Sequence, residues 1–348
     1  MKNITKILFV AITSLSLMLS AKAGELTVNG TAKATYNISS GVEKGAGLGI
    51  ANELNFTASG EMDNGFTWSY SMELDPSTGS AAGGETAGAA INDDTHISIG
   101  MNDFGTAKLC VSECSNSKKY AWDASAYGVM SDTGLSEGIV YPANELSYSS
   151  VQYHSPELPF GTTVALAHGK QKTDGQSSNT QATSGDSASF YRLVTKPVDG
   201  LTVSAGYYEK NDYDNGTTDS AAQGEEGGSY AAKYAMGNIT VGYGKSYKAV
   251  ETNTAVTSAD EAEFYENTGM SIGYAVNDDL SVSYSTETSE INYRATATTE
   301  YDIDMDSIQV AYSLGGATLS IARTDFENMN YTQDSDATET IIALAFAF

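Results

Sequence analysis

Cys110 and Cys114, in the run Cys-Val-Ser-Glu-Cys, are the only cysteines in the 348-residue chain. Thiols at that spacing could ligate a metal, stay free or close a disulfide. A structural zinc site needs four ligands, and the nearest histidine in sequence, His96, stands alone, so no metal centre is expected. Hydrolysis would need a histidine with a nucleophile or carboxylate in reach. His96, His154 and His168 belong to no nucleophile motif, and no catalytic residue is assigned. Asp212-Tyr213-Asp214-Asn215-Gly216 carries a fragment of calcium-loop spacing, but Gln223 stands where the bidentate glutamate should follow. It reads as a surface loop. No cofactor is implied.

The remaining chemistry is charge. Lys and Arg number 18 against 44 Asp and Glu, a formal charge of −26, which argues against nucleic acid as a partner. Three of those bases precede the mature protein. Lys2 and Lys6 lead an apolar run from Ile7 to Leu19 that ends at Ala21-Lys22-Ala23, the pattern of a secretory signal peptide. The run is shorter than the ~20 apolar residues of a spanning helix. Cleavage between Ala23 and Gly24 leaves residues 24–348 as one domain. Secretion into an oxidising compartment favours a disulfide between Cys110 and Cys114, with free thiols as the alternative.

What must position these charges is a set of strands. No window past the leader approaches a membrane-spanning helix, and 22 Tyr and 34 Gly against 5 Pro and 2 Trp favour strands and turns. Leu26, Val28, Gly30, Ala32, Ala34, Tyr36 and Ile38 alternate with Thr27, Asn29, Thr31, Lys33, Thr35 and Asn37, giving one apolar and one polar face. Leu54, Phe56, Ala58 and Gly60 repeat this. Beyond a Met62-Asp63-Asn64-Gly65 turn so do Phe66, Trp68, Tyr70, Met72 and Leu74, a hairpin signature. The pattern predicts sixteen strands, near 25–38, 51–62, 66–74, 94–101, 106–111, 145–154, 162–168, 188–196, 201–210, 229–236, 239–247, 267–276, 280–288, 305–313, 317–326 and 338–348.

The connections are expected to alternate strictly in length. Short turns such as 102–105, 197–200, 237–238, 277–279 and 315–316 separate long polar segments such as 75–93, 169–187, 211–228, 248–266 and 289–304. That is the plan of an all-β transmembrane antiparallel barrel, with short periplasmic turns and long extracellular loops. In lipid every backbone amide must be paired, so only a closed sheet can span with strands. A soluble solenoid or sandwich would also alternate, but it would bury its apolar face against a second sheet. Tyr207, Tyr234, Tyr243, Tyr274, Tyr284 and Tyr312 lie near the ends of apolar faces, where an aromatic girdle belongs. The other faces are small and polar, as in Ser281, Ser283, Ser285, Ser271, Gly273, Ala275, Ser307, Gln309 and Ala311. Sixteen strands leave an aqueous channel, not a dry core.

The last strand, Thr340, Ile342, Leu344, Phe346 and Phe348 alternating with Ile341, Ala343, Ala345 and Ala347, resembles the C-terminal strand of bacterial outer-membrane proteins. Thr95-His96-Ile97-Ser98-Ile99-Gly100 followed by Asn102-Asp103-Phe104-Gly105-Thr106-Ala107-Lys108-Leu109 is similar to the strand, turn and returning strand before the third loop of Gram-negative porins. Ser150-Val151-Gln152-Tyr153-His154-Ser155-Pro156 resembles the element after that loop. With the leader and strand count, the resemblance to the sixteen-stranded general-diffusion family covers essentially the whole mature chain.

The resemblance implies a water-filled outer-membrane channel for passive diffusion of small polar solutes and ions, not an enzyme. It implies that the third loop, 112–144, folds into the lumen as a constriction, with Glu113, Asp123, Asp132 and Glu137 facing basic wall residues. By strand parity those are Lys33, Lys108, Arg192, Lys196 and Lys233. Opposed charges would make a transverse field, and the acid excess predicts mild cation preference. A Cys110–Cys114 bridge would fix how this loop leaves the wall. Phe346 and Phe348 would act as the signal to the outer-membrane assembly machinery. Partners implied are the lipid bilayer, lipopolysaccharide and two further copies in a homotrimer, packed where Gly30, Ala32, Ala34, Ala58 and Gly60 make a flat patch. A substrate-specific channel, or a barrel acting as an adhesion or structural surface protein, is the alternative.

Overall fold

The computed structural model describes residues 24–75, 90–111, 121–128, 135, 137–143, 148–171, 187–211, 224–251, 262–293 and 299–348. Its first eight strands are β1 (Glu25–Gly41), β2 (Gly45–Glu61), β3 (Thr67–Asp75), β4 (Ala90–Gly100), β5 (Thr106–Cys110), β6 (Tyr148–His154), β7 (Thr163–Gln171) and β8 (Ser187–Thr195). The second eight are β9 (Leu201–Asn211), β10 (Glu226–Met236), β11 (Ile239–Ala249), β12 (Ala262–Ala275), β13 (Leu280–Tyr293), β14 (Ile303–Ser313), β15 (Ala317–Glu327) and β16 (Ala337–Ala347). Each pairs antiparallel with its sequence neighbours, and β1 pairs with β16, so the sheet closes into a barrel. Closure leaves no sheet edge exposed.

The two faces follow the period of two. On β14, Ile303, Met305, Ser307, Gln309 and Ala311 are buried inside the ring, while Ile308, Val310 and Tyr312 are exposed outside it. All six tyrosines expected in the girdle are exposed. Tyr191 stacks on Tyr207 at 6.1 Å, and Tyr230 lies 6.5 Å from Tyr243. The outward apolar run is short on this side: Leu314 in the turn and Tyr312, Val310 and Ile308 on β14 give way to Asp306, and Leu319 and Ile321 on β15 to Arg323. On β1 it is tall, continuing from Leu26 through Tyr36 and Ile38.

The two motif stretches singled out in the sequence meet at the short-turn rim. Met101 N–H donates to Gly105 O at 2.8 Å. Gly105 has φ of +84°, and a Cβ there would collide with His154 O and lie 3.1 Å from Pro156 Cδ. Only glycine satisfies both the left-handed backbone and the close approach. Ser155 completes the junction, accepting Val164 N–H at Oγ, 2.9 Å.

Three expectations are corrected. The connections do not alternate strictly in length, because β1 and β2 are joined by only Val42, Glu43 and Lys44. Residues 39–50 extend the hairpin: Ser39 pairs with Gly45 and Tyr36 with Leu48, with Leu48 and Ile50 continuing the outward apolar face and glycines alternating with them on the inward one. The patch at Gly30, Ala32, Ala34, Ala58 and Gly60 is not flat. The space above Gly60 is taken by the Trp68 indole, 2.8 Å from where a Cβ would stand, and that above Gly30 by the Phe348 ring at 3.0 Å. Lys196 lies past the end of β8 and is exposed in the turn, because the strand stops one residue too early to carry it inward.

Candidate functional site

Between β5 and β6 the chain leaves the wall and crosses the barrel interior. Residues 122–128 run along the inner faces of β11 to β14 as a strap. Ala124 N–H donates to Ser271 Oγ (2.8 Å), Ala126 N–H to Ser283 Oγ (2.8 Å), and Tyr127 N–H to Gln309 Oε1 (2.8 Å). In return Ser271 Oγ donates to Trp122 O (3.1 Å) and Gln309 Nε2 to Gly128 O (2.9 Å). A non-regular segment inside a barrel must find such partners for its amides, and the inward Ser and Gln side chains supply them. These small polar residues are buried because the strap lies on them.

The returning part of the loop, 137–143, is held higher up. Asn267 Nδ2 donates to Val140 O at 3.1 Å, and Tyr141 OH to Glu287 Oε2 at 3.0 Å. The connection between β15 and β16 folds over it: Asn330 N–H donates to Glu137 O at 2.8 Å. Met329 joins an apolar cluster with Trp122, Ile303, Met305 and Phe326, against which Leu135, Ile139 and Tyr331 pack. Burial pushes the Tyr331 hydroxyl up to about 12, so it stays protonated and bonded to Ser289 Oγ at 2.8 Å. The described segments of these two connections therefore lie against β11 to β15, and Ala143 packs on Ala167, Ala188, Phe190 and Tyr208 of β7, β8 and β9.

Of the acids expected on the loop, Glu113 and Asp132 lie outside the described residues. Asp123 is on the strap, with its carboxylate turned to the β13 wall, where Oδ1 accepts from Ser285 Oγ at 3.2 Å and from Ser125. Glu137 is partly buried beneath the last loop. Burial first, and then the nearby Glu339 and Glu43 carboxylates, push its carboxyl above the ordinary range, partly offset by a hydrogen bond from its own backbone.

A folded-state value above the unfolded one means that ionising Glu137 opposes packing of the loop. The penalty is absent below the unfolded value of 4.5 and complete once the pH has risen through the folded value. Glu137→Gln is thus expected to raise the unfolding temperature at pH 7 and to leave it unchanged at pH 4. Thermal scans in detergent at both pH values check this, and a lower midpoint at pH 7 contradicts it.

The expected bases divide into groups. Lys33 Nζ sits 5.3 Å from the centre of the Tyr127 ring on the strap, a cation–π contact. Lys233 Nζ donates to Asp123 O at 3.4 Å. Lys108 and Arg192 are within electrostatic reach of each other and of His154 on the β5–β8 wall. Cys110 is disulfide-bonded, and the one other cysteine of the chain, Cys114, lies outside the described residues. Phe346 and Phe348 are exposed on the outer face. Among the described residues no group of three or more metal-ligating side chains occurs.

A closed ring with a wet interior, narrowed by an inward loop, is a diffusion pore. The sequence pattern of Gram-negative porins matches residues 9–348. The chain belongs to the Gram-negative porin family. It forms an outer-membrane channel through which small hydrophilic solutes diffuse passively. Solved porins share the fold: Salmonella typhi OmpF in complex with daunomycin has a TM-score of 0.67 at 14% identity, covering 94% of this chain and 98% of that one. An anion-selective porin from Comamonas acidovorans has a TM-score of 0.64 at 11% identity, covering 93% and 100%. The trimer form of OmpT from Vibrio cholerae has a TM-score of 0.63 at 12% identity, covering 94% and 100%. No curated protein is significantly similar in sequence.

The sequence did not point to Trp122, to the glycines beneath it, or to Met329 and Tyr331. The signal available was glycine at inward positions of strands, where it weakens the strand and asks for a reason.

Proposed function

We propose that this porin is a general-diffusion channel with mild cation preference, working as a homotrimer with its short turns in the periplasm. The preference rests on the inward carboxylates Glu53, Glu61, Glu287 and Glu339 of β2, β13 and β16 added to a strongly negative chain. Charges on remote loops are screened beyond about 8–10 Å at physiological salt, so the passage beside the strap decides the sign. In a potassium chloride gradient across a planar bilayer the reversal potential is expected to have the sign of cation flow, with an ohmic current. An anion-directed potential overturns the preference, and saturable block by one solute replaces general diffusion with a specific channel.

Assembly as a trimer is supported by the tall outward apolar face of β1 and β2, where Leu48 is 77% exposed and Ile50 53%. Those residues gain more from a protein partner than from water. Loss of the leader at Ala23, folding by the outer-membrane assembly machinery, contact with lipopolysaccharide, and a constriction formed by Glu113, Asp123, Asp132 and Glu137 against Lys33, Lys108, Arg192 and Lys233 complete the reading.

A further inference from the structure

Four glycines on adjacent strands face inward under the strap: Gly242 and Gly244 on β11, Gly269 and Gly273 on β12. None has a positive φ, so backbone geometry does not call for glycine at any of them. Glycine in a strand interior costs stability, and space explains its presence here. A Cβ on Gly244 would stand 2.6 Å from Trp122 Cδ1, and one on Gly273 2.5 Å from Ala124 O. At Gly269 it would enter the Trp122 six-membered ring, and at Gly242 it would meet Trp122 O. Trp122 itself is only 4% exposed, although it stands inside a channel lined by serine, threonine and glutamine.

We infer that Trp122 is a positioning residue that pins the constriction loop into this glycine cradle and so sets the aperture. This rests on the diffusion-pore reading. The indole fills a slot made by the absence of side chains, and Ala231 and the Ile303–Met305–Phe326 cluster close its far side. Burying a large aromatic surface gives the pin its strength. The hydrogen bonds to Ser271, Ser283 and Gln309 fix direction, but water could replace them as the strap lifts. The indole has no such substitute, because lifting it exposes the ring and empties the slot.

Single-channel recording of Trp122→Ala tests the inference. The expected result is a mean conductance higher by about twofold, since a strap about 5 Å thick no longer narrows the lumen, with a broader spread of current levels. Gly269→Val, which fills the slot from the wall side, is expected to do the same. Ser125 Oγ and Ser285 Oγ are 3.0 Å apart, so a Ser125→Cys, Ser285→Cys pair in the Trp122→Ala background can tether the strap. Oxidation should return the conductance to the original value, and reduction should release it. If Trp122→Ala fails to form a barrel, Trp122→Phe and Gly269→Val are read in its place. Unchanged conductance in the variants that fold, or an increase that persists after tethering, overturns the pin. A wild-type chain that inserts and passes no current sinks the diffusion reading instead.

Discussion

Deleting Phe348 is expected to lower the folded fraction of the barrel by at least tenfold near the midpoint of urea unfolding, measured as heat-modifiable mobility on unheated gels. The ring is 69% exposed, so its burial is not the reason. The backbone of this last residue closes the seam: Gly30 N–H donates to Phe348 O at 2.8 Å, and Phe348 N–H to Gly30 O at 3.0 Å. Removing the residue orphans both Gly30 groups at a membrane edge. Each buried group left unpaired costs about 1–3 kcal/mol, and about 1.4 kcal/mol already corresponds to a factor of ten. Phe348→Ala keeps both bonds and should lose much less. Gly30→Val should behave like the deletion, because its Cβ would stand 2.7 Å from Glu53 O and 3.0 Å from the Phe348 ring. Equal folding of the deletion and the parent would show that the seam closes without its final rung.

Reversing the charge of Lys108 and Arg192 together, by Lys108→Glu and Arg192→Glu, is expected to raise the cation-to-anion permeability ratio about tenfold. The two residues stand on the wall across from the strap, close enough to act on each other and on His154. At about 7 Å in water a unit charge contributes roughly 0.6 kcal/mol to the energy of a passing ion. The double change alters four units of charge, about 2.4 kcal/mol for one ion, which screening over that distance cuts to about half or less. Because a cation gains what an anion loses, the ratio moves by about twice the screened value, above the roughly 1.4 kcal/mol of a factor of ten. Reversal potentials in a salt gradient measure the ratio. Asp306→Asn is the control, because that carboxylate faces outward and accepts from Tyr284 OH at 2.6 Å. A double variant with the parent's reversal potential would place the solute path elsewhere in the lumen.

The barrel was legible because lipid on one side and water on the other impose a period of two that survives in single residues. Ile308, Val310 and Tyr312 could be assigned outward and Ser307, Gln309 and Ala311 inward from alternation alone, and the register bears this out. The signal fades where one face has no side chains: Gly45, Gly47 and Gly49, alternating with Ala46, Leu48 and Ile50, read as loop but form β2. The patch at Gly30 and Gly60 misled because a missing side chain looks flat in sequence, whereas in space a neighbouring ring fills it. The strap was legible only as a strand-free stretch. Its course depends on Ser271, Ser283 and Gln309, which follow it by more than a hundred residues, and such long-range contacts leave no local period. Asp123 shows the same limit, since its turn toward Ser285 is decided by the wall and not by its neighbours in the chain.

The short outward apolar run on β14 also constrains the surrounding lipid. Four alternate positions, Leu314, Tyr312, Val310 and Ile308, span about 20 Å along the strand at ~3.4 Å per residue, and less along the membrane normal because barrel strands tilt by about 35–45°, against the ~25 Å band usual for such barrels. Acyl chains beside this flank must shorten and spread to keep Asp306 and Arg323 hydrated, at a cost of fractions of a kcal/mol for each ångström of mismatch. Two neighbouring molecules that share one dimpled annulus pay that elastic strain once. Clustering of neighbouring channels along this flank is therefore expected to strengthen in thick bilayers and weaken in thin ones, read as fluorescence transfer between labelled copies in vesicles of graded acyl length.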